Sequence, residues 1–364
     1  MTHFSVLYDG WPLIYQPTSP EALHLLAILS CHLEGVQALL ALPAEPPSWL
    51  SLEATIHVVA TANTARNRLN WEQRTLPVLR RRTGAALLHL TSPNPPLFGP
   101  EVNLVSPSSF DDSPPKGRFA SRLRKAISQG GMARLGGLLW PDDLPLHERQ
   151  EAIYRLQPAI LPGFLESNSA SEDDRLAAML DLPAAYVLYH GPSYEGTLRR
   201  LLAAWSWAVE PVGDGYPLLA IGLGADGRER LAALTSEYGL GETVRSLAEL
   251  EPGALGAVYR RSAALFQPVV DPPWGGPVRL ALASGTPVVS IEGERMDALV
   301  GPAAYLVGGQ DARALGAAVI TVLVEEGVAQ QLTEAGRQRV ATWSLSAFAQ
   351  GLANAYRDIL DKRE

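Results

Sequence analysis

The chain has 364 residues, 47% of them hydrophobic and 19% charged, with a formal net charge of −8. That length predicts two domains rather than one core, and the acidic balance, with no basic tract beyond Arg80-Arg81-Arg82, excludes a nucleic-acid partner, which needs a positive face. A single cysteine, Cys31, excludes an internal disulfide and reads as core filler, and no apolar run approaches the roughly 18–20 residues of a membrane span. The N-terminus lacks the basic-then-apolar layout of a signal peptide, so the expectation is a cytoplasmic protein with no transmembrane segment.

In chain order, residues 4–8 read as a strand and 20–33 as a helix, introduced by Thr18-Ser19 with proline at its first position. Residues 56–60 read as the second strand, 75–82 as helix, 86–90 as the third strand and 103–105 as a fourth. Residues 118–129 form a basic amphipathic helix, and 137–140 and 159–161 are short apolar runs. Two polar stretches, 106–117 and 166–174, read as loops. The rhythm then restarts. Strands are expected at 186–189, 218–222, 243–246, 264–267, 287–291 and 304–307, with helices at 197–209, 227–238, 252–262, 277–284 and 312–326 between them. Helices at 328–342 and 345–360 close the chain. Gly285 is a favourable stop for the 277–284 helix. Strands alternating with helices in this way predict two doubly wound α/β domains in tandem. Ligands of such folds bind beyond the carboxyl ends of the strands.

The segments YVLYHGPSYEGTLRRLLAAW, LLAIGLG, AVYRRSAALFQPVV, ALASGTPVV, LVGPAAYLV and ATWSLSAF together resemble the family-4 (group 1) glycosyltransferases. VLYDGWPL, WEQRTLPVLRRRTGAALLHL and AILPGF extend the likeness over the first half. The resemblance implies an α/β GT-B-like fold, two Rossmann-like doubly wound domains facing across a cleft. It divides the chain into an acceptor-type domain over 1–170, a nucleotide-sugar donor-type domain over 171–342, and a last helix over 343–364 that crosses back to the first. It also implies sugar transfer from a nucleotide donor, which makes UDP-, GDP- or ADP-sugars the candidate ligands and a glycan or lipid the candidate acceptor.

The family's donor motif places two glutamates eight residues apart, roughly E-G-F-G-x-P-x-x-E, ahead of A-x-x-x-G-x-P. Counting back from Gly285-Thr286-Pro287, the first falls on Pro272 and the second on Leu280, while Pro273-Trp274-Gly275 replaces the Gly-Phe-Gly turn. The first glutamate faces the donor sugar and the second holds the ribose hydroxyls; proline and leucine do neither, and two prolines remove two N–H donors. Where the family sets Arg-Lys-Asn-Leu after a glycine turn, this chain has Glu195-Gly196-Thr197-Leu198 after Gly191, with Thr197 available as a helix cap. Arg199 and Arg200 follow, either as replacement cations or as solvated surface arginines. Thr18-Ser19-Pro20-Glu21-Ala22 stands at the family's glycine-rich loop, and Ser106-Pro107 at its His-Asp pair, with Asp111 and Asp112 nearby.

Gly222-Leu223-Gly224-Ala225-Asp226-Gly227 fits the dinucleotide fingerprint, but a glycine-rich turn of the glycosyltransferase pattern belongs at the same place. No histidine pair has metal-ligand spacing, so neither metal nor cofactor is expected. His190, ending a strand before Gly191, reads as a cleft residue or a buried polar side chain. Asp297 reads as a cleft acid or a helix cap. Arg118, Arg122, Arg124 and Lys125 read as a solvated helix face or as a surface resting on anionic lipid. The candidate site is therefore a degenerate one. Pro272, Leu280 and Ser106 stand at the altered catalytic positions, and the candidate lining is His190, Gly191, Glu195, Gly196, Thr197, Arg199, Arg200, Trp274, Gly275 and Gly276. Two functions follow: a pseudo-enzyme that partners an active glycosyltransferase or binds sugar, or a divergent retaining glycosyltransferase moving a hexose.

Overall fold

The computed structural model describes residues 3–110, 119–146, 152–165, 170–309 and 311–362. Contacts divide the chain into two units. The first gathers Met1–Ala159, Pro272–Gly275 and Ser344–Glu364; the second gathers Ile160–Asp271 and Gly276–Trp343.

The first unit is built on a seven-stranded parallel sheet of β1 (Phe4–Asp9), β2 (Val36–Leu42), β3 (Thr55–Val58), β4 (Leu87–Leu90), β5 (Asn103–Val105), β6 (Gly137–Pro141) and β7 (Ile153–Leu156). The strand order is β3-β2-β1-β4-β5-β6-β7, so the winding reverses between β1 and β4. Central strands such as LLHL in β4 are buried at every position, as expected where helices cover both faces. The helices are α1 (Trp11–Tyr15), α2 (Pro20–Leu29), α3 (Ala65–Asn70), α4 (Leu76–Thr83) and α5 (Phe119–Met132), with a π-helical turn at Trp71–Thr75.

The second unit begins with α6 (Pro162–Leu165) and α7 (Ala170–Met179) and holds a six-stranded parallel sheet. Its strands are β8 (Val187–His190), β9 (Leu218–Ile221), β10 (Val244–Ser246), β11 (Ala264–Gln267), β12 (Val288–Ile291) and β13 (Ala304–Val307), in the order β10-β9-β8-β11-β12-β13. The reversal here lies between β8 and β11. Between the strands run α8 (Glu195–Val212), α9 (Gly224–Glu237), α10 (Pro252–Arg260), α11 (Pro277–Ala283), α12 (Glu294–Val300), α13 (Ala312–Val324) and α14 (Glu326–Val340); α15 (Leu345–Asp361) groups with the first unit. Val187, Tyr189, Trp205, Phe266 and Val289 lie in one apolar core between sheet and helices.

Several expectations change. Residues 36–42 form β2, so the 56–60 run is the third strand and is shorter. Gly35 and Pro43 flank the run, but its alternation is hidden because it is buried on both faces from Leu39 onward. The α2 helix stops at Leu29 rather than residue 33, where the Ser30 hydroxyl turns back to the Ala27 carbonyl at 2.8 Å. The polar stretch at 166–174 contains the start of α7, fixed by a bidentate pair from Arg260 to Asp173 at 2.7 and 2.8 Å. Residues 111–118, which include Asp111, Asp112 and Arg118, lie outside the described residues.

Candidate functional site

At the carboxyl end of β8 the chain turns through Gly191. A Cβ there would meet the ring of Tyr189, whose hydroxyl donates to the Pro192 carbonyl at 2.8 Å. The glycine thus serves a close approach of the chain to itself. His190 is buried; its Nδ1 shares a 2.7 Å hydrogen bond with the Tyr259 hydroxyl, and its carbonyl accepts from Gln267 Nε2 at 3.0 Å.

The helix α8 opens with Tyr194 in extended conformation and no side-chain cap. Thr197 is the third helical residue and is buried, so it does not cap the helix; the chain enters two residues earlier than the sequence pattern indicated. Glu195 and Gly196 occupy the first two positions. Arg199, one turn on, is held by two carboxylates, Glu195 at 3.0 Å and Glu237 at 2.8 Å. These bonds, first to Glu237 and then to Glu195, hold its guanidinium above the ordinary arginine range. Arg200 donates to the Pro268 carbonyl at 3.3 Å. A single fixed charge about 8 Å from a phosphate is worth on the order of 2 kcal/mol at an effective dielectric of about 20. Glu195 and Glu237 engage Arg199, while Arg200 on the same turn and Arg230, which donates to the Ser193 carbonyl, balance the second carboxylate, so the cation that a diphosphate would meet at Arg199 is already held by carboxylates.

The 271–280 stretch is buried at every residue. Leu280 lies inside α11 at 2% exposure, and Gly285 adopts φ 72° just beyond the helix, as its stop position requires. Asp297 falls within α12 rather than before it, so Gly293 and not Asp297 is the capping residue. The carboxylate within this stretch is Asp271. Its Oδ1 accepts the Val278 amide at 3.1 Å, its own amide meets the Met296 sulfur at 3.4 Å, and its Oδ2 is buried without a hydrogen-bond partner. Burial pushes this carboxyl up to about 7, against the opposing pull of the Val278 amide and of Arg279 and Arg295. A Cβ on Gly276 would meet the Asp271 carboxylate, so glycine is needed there. Trp274 is fully buried and Gly275 has φ 65°.

In the first unit, Asp9 ends β1 beside the winding reversal. Its Oδ1 accepts from the Trp11 amide at 3.0 Å and the Trp71 indole at 2.8 Å, while Oδ2 pairs with Arg68 at 2.8 Å. Arg68 also pairs with buried Glu72 at 2.8 Å and lies over the Trp11 ring. Burial holds the Glu21 carboxyl above its usual range, and it accepts the Ser109 hydroxyl. Ser106 is buried too. Its Oγ meets His89 Nε2 at 2.9 Å, His89 Nδ1 meets the Tyr356 hydroxyl at 2.6 Å, and that hydroxyl meets Tyr8 at 3.0 Å. Burial pushes His89 down to about 3, so it is neutral and its two nitrogens play opposite hydrogen-bond roles.

Sequence reasoning did not find Asp9, Arg68, His89 or Asp271. Asp9 carried a signal, a carboxylate closing an apolar strand before glycine; Asp271 had none, because its burial comes from the packing of α11 and α12. Among the described residues no cluster of histidine, cysteine and carboxylates suits a metal, and no helix is long and apolar enough to cross a membrane.

Two parallel sheets wound in this order, with strand ends carrying polar residues, define a GT-B architecture. The fold agrees with sucrose-phosphate synthase from Thermosynechococcus elongatus at TM-score 0.70 and 17% identity, over 99% of this chain and 100% of that one. It agrees with WaaG, a glycosyltransferase involved in lipopolysaccharide biosynthesis, at TM-score 0.72 and 13% identity over 96% and 98%. Anabaena HepE in complex with UDP-glucose matches at TM-score 0.72 and 14% identity over 98% and 100%. Residues 194–339 match the family model described as glycosyl transferases group 1, so this part of the GT-B fold is similar to that family. A D-inositol 3-phosphate glycosyltransferase of Corynebacterium urealyticum is 29% identical over 203 residues, 52% of this chain. The chain spans about half of that relative, 47% of its length.

Proposed function

We propose that this protein is a glycosyltransferase relative that has lost ordinary nucleotide-sugar chemistry and serves as a pseudo-enzyme, the partner of an active glycosyltransferase. One observation carries the reading. Residues 271–280 are buried throughout, and their single carboxylate, Asp271, is turned inward to the Val278 amide. No carboxylate is then presented at Pro272 or Leu280 to sugar or ribose hydroxyls. The engagement of Arg199 by Glu195 and Glu237 supports the same reading. The second reading, a divergent retaining enzyme moving a hexose to a glycan or lipid, is favoured by the HepE fold match, since that protein was solved with UDP-glucose.

Calorimetric titration of the full chain with UDP-glucose, and with GDP- and ADP-sugars, separates the two. The proposal expects no heat of binding at millimolar sugar nucleotide and no hydrolysis or transfer. Micromolar binding of any of them refutes it.

A further inference from the structure

The chain leaves the second unit after Asp271, joins the first for the four residues Pro272–Gly275, and returns at Gly276. Within the first unit Trp274 has a seat that specifies more than volume. Its ring stacks on His24 of α2 with centroids 4.8 Å apart and planes 18° apart, and it meets Phe348 of α15 edge-on at 5.8 Å. Its indole N–H donates to the Leu139 carbonyl of β6 at 3.2 Å. One wall fixes the ring plane, another its edge, and a third the direction of the single polar atom. Gly275 follows with φ 65°, and a Cβ there would meet the Pro20 carbonyl and the His24 amide. On the other side, Asp271 ties the returning chain to the Val278 amide, and Gly276 leaves room for that carboxylate.

We propose that the first unit contains a preformed binding site for a planar aromatic bearing one N–H donor, and that Trp274 fills it as a tethered ligand that fixes the 271–278 segment. The His24 face supplies stacking, the Leu139 carbonyl selects the N–H, and the double proline Pro272-Pro273 delivers the ring with little freedom to withdraw. The site does not depend on the function proposed above: a chain that bound UDP-glucose would refute that function and leave the seat intact.

The full-length Trp274→Gly variant tests it. Indole should bind the variant by calorimetry and not the wild type, and 1-methylindole, which lacks the N–H, should bind at least about tenfold more weakly. Amide exchange at Val278 should rise at least tenfold in the variant and stay raised with indole bound, because a free ring fills the seat without holding the chain. Failure of indole to bind, equal binding of 1-methylindole, or unchanged protection of Val278 each overturns the proposal. Should the glycine variant not fold, Trp274→Phe keeps a ring and removes the donor; Val278 exchange should still rise, and wild-type protection in that variant overturns the proposal as well.

Discussion

Asp271→Asn is the substitution with the most to reveal, because a carboxyl held at about 7 in the folded chain has an ordinary value of 3.8. Between those two pH values the folded state keeps a proton that the unfolded chain releases. Stability from this group is therefore fully present below about pH 4 and is lost as pH rises to about 7. A rise of about three pH units, at about 1.36 kcal/mol each, makes the loss about 4 kcal/mol. The asparagine carbonyl still accepts the Val278 amide and never ionises, so the variant escapes the loss. Relative to wild type it should gain little at pH 4.5 and about 4 kcal/mol at pH 8. For a domain near 200 residues that is roughly 8–16 °C in melting temperature. Thermal unfolding of both proteins from pH 4.5 to 8.5 reads the difference directly, and all other titrating groups cancel in the comparison. A melting-temperature difference that is flat across this range would refute the burial argument for Asp271.

Three further outcomes are expected. Gly275→Ala places a side chain at positive φ against the Pro20 carbonyl and should cost on the order of 1–3 kcal/mol by denaturant titration; no loss would mean the segment shifts freely. Tyr356→Phe removes the hydroxyl that joins His89 to Tyr8, leaving a buried ring nitrogen unpaired, and should cost about 1–3 kcal/mol at neutral pH. Leu280→Glu buries a carboxylate at a position 2% exposed and, without a ligand to meet it, should destabilise the second unit by several kcal/mol in thermal unfolding. A fully stable variant would mean that the position opens to solvent.

How far the sequence reaches can be judged at single residues. The doubly wound class was legible because buried parallel strands such as VLYH, ALFQ and VVSI write themselves as short apolar runs between helical patterns. The helix stop was legible too, since Gly285 lies just beyond α11 at positive φ. What escaped was everything decided by which side chains meet at long range. Nothing local marks His24 as the stacking partner of Trp274, 250 positions away in the chain, or Tyr356 as the partner of His89. The β2 strand was missed for a related reason: its neighbours bury both faces, and a run without alternation gives no period to read even between Gly35 and Pro43.

The same contrast separates what shapes this segment from what a ligand would need of it. Helix α11 still begins after a glycine, still has Pro277 at its first position and still ends on Gly285, because those residues serve the backbone and are needed whether or not a ligand binds. A buried leucine at 280 contributes apolar packing, and an indole at 274 adds stacking and a hydrogen bond. Both side chains favour a closed, self-satisfied segment, and a glutamate placed at 280 works against the surrounding packing.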